Sequence, residues 1–328
     1  MKILVTGGTG FTGSHLTRRL LDKGHHLVVI DNKPGLFFDE LKERGAEIHI
    51  GSVADRDLVD KVTQGCEVVH HLAAAFRQVN LPKQVYWDVN VDGTRYLLEA
   101  ALKYGVAKFV YCSTCGVHGD VKQTPADENA PITPADYYQY TKYEGEKLIP
   151  EFVEKGLKVL TLRPAAIYGP GDPERFSILF KRVKKGRFLM FGDGQCHYHP
   201  LYIDNLVDAF ELAAASEKGN GEAYLIADEN YHTLNKLVTA IAKAIGINLT
   251  ITHLPFWPLW TAALLTEMAY KPLPGIDPPL FRRRVDWFRQ NRAFSIEKAK
   301  RELGYQPQVD LDKGLTLTGQ WYREQGII

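Results

Sequence analysis

The chain has 328 residues, a formal net charge of +1, and 45% hydrophobic against 24% charged residues. That balance describes an ordinary soluble protein and gives no sign of a nucleic acid or other polyanionic partner. The length exceeds what a single core commonly serves, so a large domain and a smaller one are expected.

Lys2 to Thr6 is a short apolar run that suits a buried parallel strand. The glycine-rich Thr6-Gly7-Gly8-Thr9-Gly10-Phe11-Thr12-Gly13 follows, and then a helical stretch with Leu16, Leu20 and Leu21 in register. Glycines between a strand and a helix are the context of a dinucleotide fingerprint. Gly7 would allow the tight turn, Gly10 the approach of a pyrophosphate, and Gly13 close packing of helix on sheet. These glycines and threonines also interrupt the apolar N-terminus before a signal-peptide core could form. A second strand, 27–31, ends in Asp31, where a carboxylate can accept the adenosine ribose hydroxyls and repel a 2′-phosphate. The same residue can equally open a turn with Asn32 and Pro34-Gly35. Lys33 keeps NADP open beside NAD.

Further strands are expected at 47–50, 67–72, 108–113 and 157–163, and helices at Asn90–Tyr104 and Tyr137–Lys155. This alternation predicts an α/β protein with a Rossmann-type, doubly wound parallel sheet and a smaller, mixed C-terminal domain. Residues 1–166 form the expected NAD domain and residues 167–328 mainly the substrate domain. Residues 201–215, a short strand and a helix, are expected to rejoin the first domain. Pro170–Pro173, Gly192–Gly194 and Pro272–Pro279 interrupt the second half.

The four cysteines, 66, 112, 115 and 196, form no disulfide framework and point to a reducing, cytoplasmic setting. No metal site is expected: neither Cys112-x-x-Cys115 nor the His197/His199 pair has the further ligands it needs.

Tyr138 and Lys142 lie four positions apart on a predicted helix and share a face. An ammonium beside a phenol favours the phenolate and makes tyrosine a base nearer neutral pH. Thr114, at the end of the 108–113 strand, could hold a substrate oxygen. Tyr143 and Lys147 repeat the spacing, but five positions at ~100° each rotate them about 140° away. Tyr138 is the preferred base. The set fits removal of a hydroxyl proton while hydride leaves the same carbon.

On these motifs the chain resembles the extended short-chain dehydrogenases/reductases, the NAD-dependent epimerase/dehydratase superfamily. The match also runs through His71-Leu72-Ala73-Ala74, Asn90 to Thr94, Val110 to Gly119, Arg163-Pro164, Tyr168 to Gly171, Phe191 to Gly194, Tyr202-Ile203-Asp204 and Lys298 to Tyr305. The resemblance implies catalytic roles for Thr114, Tyr138 and Lys142, with Ser113 the near alternative to Thr114. It implies NAD contacts along Gly7, Gly10, Phe11, Thr12, Gly13, Asp31, Asn32, Ser52, Val53, Leu72, Ala73, Ala74, Asn90, Tyr138, Lys142 and Pro164. A homodimer through the Asn90 and Tyr137 helices is a further implication.

Four departures bear on function. Ser52 stands where many relatives carry an adenine-binding aspartate. Ala166 and Tyr198 stand where nucleotide-sugar members place an asparagine and an arginine on the substrate diphosphate. Cys115 replaces the acidic pair of a dehydratase. Leu254 to Leu273 instead supplies apolar bulk, similar to a segment that sterol-type dehydrogenases place over a lipophilic substrate. It reads equally as a core helix or dimer contact, and membrane-surface contact is the lesser option. Arg282-Arg283-Arg284, with Arg289 and Arg292, is either a substrate-anion site or a solvated face. The leading expectation is an NAD-dependent 3β-hydroxysteroid or sterol-type alcohol dehydrogenase. A UDP-sugar 4-epimerase is the alternative, and a non-catalytic NAD-binding regulator the third.

Overall fold

The structure is a computed structural model that describes residues 1–76, 81–172, 175–272 and 278–328. Of the features expected above, Pro173, Leu273 and part of Pro272–Pro279 lie outside the described residues. Strands β1 (Lys2–Thr6), β2 (His26–Asp31), β3 (Glu47–Ile50), β4 (Val68–His71), β5 (Lys108–Cys112) and β6 (Val159–Pro164) follow the expected spans closely. They lie side by side in the order β3-β2-β1-β4-β5-β6, and Ala223–Ile226 completes a seven-stranded sheet beyond β6. Every neighbouring pair is parallel.

The central strands are apolar throughout because both sheet faces are covered. Helix α1 (Phe11–Asp22) and the Ile203–Ala215 helix cover one face with Leu16, Leu20, Leu206 and Phe210. Val59, Val62, Leu97, Leu98 and Phe152 cover the other. The chain winds outward in both directions from β1 and β4. The carboxyl ends of those two strands therefore flank the crevice where an open α/β sheet binds its ligand.

Ala223–Ile226 is a strand the sequence reading left unassigned. Its edge is secured from far along the chain: Tyr224 Oη donates to Glu302 (3.0 Å) and Lys298 Nζ to the Ala223 carbonyl (2.9 Å). Three two-stranded sheets, one antiparallel, support a second lobe. Its core joins Phe180, Phe188, Leu237, Ile241, Leu315 and Tyr322. The Leu234–Ile245 helix there starts with the Thr233 side chain accepting from Lys236 N–H and stops at Gly246, φ 70°.

Two expected helices differ. Tyr137–Lys155 is broken into Tyr137–Glu146 and Ile149–Glu154, with Pro150 in the first turn of the second. There the missing proline N–H costs no hydrogen bond. The Asn90 helix opens as a π turn, Asp88–Asp92, before regular α-helix from Gly93 to Lys103. A Cβ on Gly93 would come within 2.8 Å of a Val53 methyl, so glycine permits the close seating of that turn.

Candidate active site

The glycine loop joins β1 to α1 in the crevice. Gly7 has φ 68°, and a Cβ there would lie 2.9 Å from the Ala73 nitrogen. A Cβ on Gly13 would collide with the Gly7 carbonyl at 2.0 Å, so this glycine lets α1 start against the loop. Gly10 is different: it is exposed, and only the Gly7 carbonyl comes near. It is the N-cap of α1, which has no side-chain cap and no acidic residue in its first turn. The Phe11, Thr12 and Gly13 N–H groups thus begin a helix without an intrahelical partner, the form that holds phosphate.

Asp31, at the end of β2, does two things. One carboxylate oxygen accepts from Thr9 N–H (3.0 Å) and Thr9 Oγ1 (2.8 Å), and the other from Asn32 N–H (2.9 Å). Asp31 therefore braces the glycine loop and the turn after β2, and it remains half-buried. Ser52 Oγ accepts from Ala54 N–H (3.1 Å), while Val53 is buried.

After β4 a buried relay fixes the Leu72-Ala73-Ala74 segment. Thr94 Oγ1 donates to the Asn90 carbonyl (2.7 Å), so the His71 Nε2–H must donate to Thr94 Oγ1 (3.0 Å). His71 Nδ1 then accepts from Thr6 Oγ1 (2.7 Å), which in turn accepts from Leu72 and Ala73 N–H (3.1 and 3.0 Å). Each proton has one place. Burial holds His71 neutral by pushing its pKa well below the usual range. Sequence reasoning had given His71 no such role.

Asn90 is fully buried, and its amide is used up within the protein. Its oxygen accepts from Ala75 N–H (2.8 Å), and its nitrogen donates to the Ala75 carbonyl (3.2 Å) and Thr141 Oγ1 (2.9 Å). It clamps the loop after β4 to the Tyr138–Lys142 helix.

That helix begins at Asp136, whose side chain accepts from Gln139 N–H (2.9 Å). Lys142 is about 1% exposed, and its Nζ has no hydrogen-bond partner among the described residues. It lies 4.2 Å from the centroid of the Tyr111 ring. Burial brings its pKa down to about 8, with Cys112 and Glu146 opposing. Gly145 makes this approach feasible, since a Cβ would meet Tyr111 Oη at 2.4 Å. Tyr138 packs edge-on against Phe76, centroids 4.8 Å apart. Its phenol is pushed above the ordinary range, chiefly by burial, and Lys142 does not offset this. The expected lowering by the ammonium is thus corrected: the helix spacing shows the neighbour but not the desolvation. Lys147 of the repeated pair is half-exposed and bridges Glu144 at 2.6 Å.

Thr114 and Ser113 separate clearly. Ser113 is buried and donates to Glu146, which pairs with Arg163 (2.6 Å). Arg163 donates to His118 Nε2 (3.1 Å), leaving His118 Nδ1–H for the Ala130 carbonyl (3.0 Å). This network joins the residue before Thr114, the helix turn after Lys142, and the residue before Pro164. Thr114 Oγ1 accepts from Gly116 N–H (3.1 Å), and among the described residues its own proton has no acceptor.

The arginine cluster is dispersed: Arg282 pairs with Glu267 (2.8 Å), Arg283 with Asp136 (2.9 Å) and Arg289 with Asp286 (2.6 Å). His197 and His199 both pack edge-on against Tyr231. No group of side chains among the described residues could hold a metal ion. A cavity of about 550 Å³ is walled by Phe191, Asp193, His197, Phe256 and Arg289, but by none of Thr114, Tyr138 or Lys142.

Two features fit a dinucleotide on physical grounds: an open, uncapped helix start beyond Gly10, and a buried ammonium at Lys142 lacking an acceptor. Residues 3–227 match the model of the NAD dependent epimerase/dehydratase family. The chain belongs to that family. It is 32% identical to 3beta-hydroxysteroid-dehydrogenase/decarboxylase isoform 1 of Arabidopsis thaliana, over 96% of this chain and 78% of that one. It is 30% identical to 2-alkyl-3-oxoalkanoate reductase of Stenotrophomonas maltophilia, over 96% and 97%. Among solved structures, UDP-glucose 4-epimerase of Thermotoga maritima, crystallised with UDP-glucose, superposes with a TM-score of 0.79 at 29% identity, covering 99% of each chain. The protein is an NAD-dependent oxidoreductase of the extended short-chain dehydrogenase/reductase type. No helix among its described residues is long and apolar enough to cross a membrane.

Proposed function

We propose that this enzyme oxidises, or in reverse forms, a compact apolar secondary alcohol of the 3β-hydroxysteroid or sterol type. The observation that carries the reading is the burial of Ala166 and Tyr198 in the second lobe. The asparagine and arginine expected there for a substrate diphosphate are replaced by apolar packing. A diphosphate would then lose two charge-assisted hydrogen bonds, each worth about 1.5–3 kcal/mol. The sterol and alkyl-oxoalkanoate names of two relatives point the same way.

In this reading NAD occupies the crevice over Gly7–Gly13 and Asp31, within residues 1–166, and the substrate lies mainly against residues 167–328. Bound NAD supplies the hydride acceptor. Thr114 Oγ1–H holds the substrate oxygen. Tyr138 takes the hydroxyl proton, and Lys142, one turn along the helix, gives its N–H groups to the nicotinamide ribose. The protein works in the cytoplasm as a homodimer, through a face that includes the half-exposed Tyr137 and Tyr140 rings, 5.7 Å apart.

A UDP-sugar 4-epimerase is the second reading, favoured by the end-to-end likeness to the UDP-glucose enzyme. A thermal-shift panel on the NAD complex separates the two. Hydroxysteroids and other apolar secondary alcohols should stabilise it more than UDP-sugars do. Strong stabilisation by UDP alone, with none from apolar alcohols, reverses the order.

A further inference from the structure

The helix Phe256–Tyr270 is apolar on every side, yet Ala263 is the one buried residue among its fifteen. A helix apolar all round belongs inside a protein or against lipid. Here Trp257, Leu265 and Met268 are 64%, 60% and 62% exposed. The strand leading into it, Thr250–Leu254, pairs with Arg187–Phe191, where Leu189 is also exposed.

The surrounding lobe is basic. Residues 175–187 include six Lys or Arg and no acidic residue, and residues 278–292 set five arginines against Asp286 alone. The fold brings the two stretches together: Arg284 lies near enough to Arg182 to act on it electrostatically. Arg282 and Arg289 lie over the Trp260 and Phe256 rings, at 5.6 and 5.5 Å. Arg284 has no acidic partner among the described residues.

We propose that this lobe docks on an anionic bilayer surface, with the Phe256–Tyr270 helix lying in the interface and the basic side chains not engaged in ion pairs among the described residues, Arg284 and the 181–185 lysines and arginine, meeting lipid phosphates. Basic residues beside an exposed apolar helix give both attractions that surface binding needs. The helix lies on the bilayer instead of crossing it: fifteen residues rise about 22 Å, short of the ~30 Å hydrocarbon core. A second copy of this chain fits less well, because a two-fold contact would set one basic lobe against another.

The test uses the full chain with NAD in flotation with phosphatidylcholine vesicles, with and without about 30% phosphatidylglycerol. Binding should require the anionic lipid, weaken with salt, and shift tryptophan emission to the blue. The combined Trp257→Ser, Leu265→Ser and Met268→Ser variant should bind roughly tenfold or more weakly while binding NAD unchanged. Lys185→Glu with Arg284→Glu should lose a similar factor and leave the apolar helix intact, which covers a triple variant that fails to fold. No binding to anionic vesicles at low salt overturns the proposal, as does unchanged binding by both variants. Conversion of a dimer to monomers by the triple variant, seen in sedimentation, would assign the helix to a second copy instead. None of these outcomes depends on which alcohol the enzyme oxidises.

Discussion

The crevice at the carboxyl ends of β1 and β4 and the lobe around Phe256–Tyr270 solve opposite problems. In the crevice polar groups are buried, and nearly every one is satisfied: Asn90 spends its whole amide, His71 both ring nitrogens, and Glu146 is shared between Ser113 and Arg163. Lys142 Nζ, on the helix that carries Tyr138, is among the few that have no hydrogen-bond partner among the described residues. In the other lobe apolar groups are exposed. The contrast teaches where to look for ligands: an unmet hydrogen bond marks one site and unmet apolar surface marks the other.

The contrast can be broken at either end. Tyr138→Phe should have the largest effect, a loss of ~10²–10⁴ in turnover with NAD binding retained. Activity within a few-fold of the parent would remove Tyr138 from its role. Glu146→Gln leaves Arg163 charged and buried without its partner, so urea denaturation should show a loss of about 3–5 kcal/mol. A loss below ~1 kcal/mol would mean the network is dispensable.

Lys142→Met should abolish tight NAD binding yet stabilise the NAD-free protein, because it removes an unpartnered buried charge. With the pKa brought from 10.5 down to about 8, the gain at pH 7 is on the order of 3 kcal/mol. Between pH 8 and 10.5 the unfolded lysine holds more proton than the folded one. The parent's stability therefore rises with pH across that window, and the advantage of the methionine disappears above it. Thermal melts of both proteins at pH 7 and pH 10.5 give the comparison, and an equal gap at both would refute the cause.

Asp31→Asn should narrow the preference for NADH over NADPH by roughly ten- to a hundredfold, the worth of one charged hydrogen bond. Equal binding of the two by the parent would overturn the preference itself. Smallest of all, Trp257→Ser should change stability by less than ~0.5 kcal/mol, as expected of an exposed side chain whose ring contacts, with Phe256 and Trp260, lie at the surface. A cost above ~2 kcal/mol would show the helix to be core.

Much of this was legible because it is local. Gly7 to Gly13, Asp31, and the Tyr138–Lys142 pair each sit in a short span whose spacing reports their geometry. The Ser113–Glu146–Arg163–His118 network was not, since its members come from separate elements that only the sheet brings together. The same applies to Asn90, whose partners at Ala75 and Thr141 lie fifteen and fifty-one positions away. Tyr138 shows the remaining gap. Four residues on a helix predict that an ammonium is nearby, but burial decides the phenol's acidity, and burial is a property of the packed chain. Leu254 to Leu273 read as a cover over a lipophilic substrate, or else as a core helix or dimer contact; the exposure of Trp257, Leu265 and Met268 emerged only with the fold.

The placement of Ala223–Ile226 has a consequence for synthesis. The sheet is closed by a strand beginning some sixty residues after β6 ends, and that strand is held in turn by Lys298 and Glu302. At roughly 5–20 residues per second, the ribosome leaves the β6 edge open for several seconds before its neighbour emerges. Its fastening arrives later still. A nascent chain halted between Pro164 and Ala223 exposes an apolar strand edge ready to pair with another chain. Slow translation through this stretch favours aggregation, and a truncation before Lys298 keeps Thr114, Tyr138 and Lys142 while leaving the sheet unlatched.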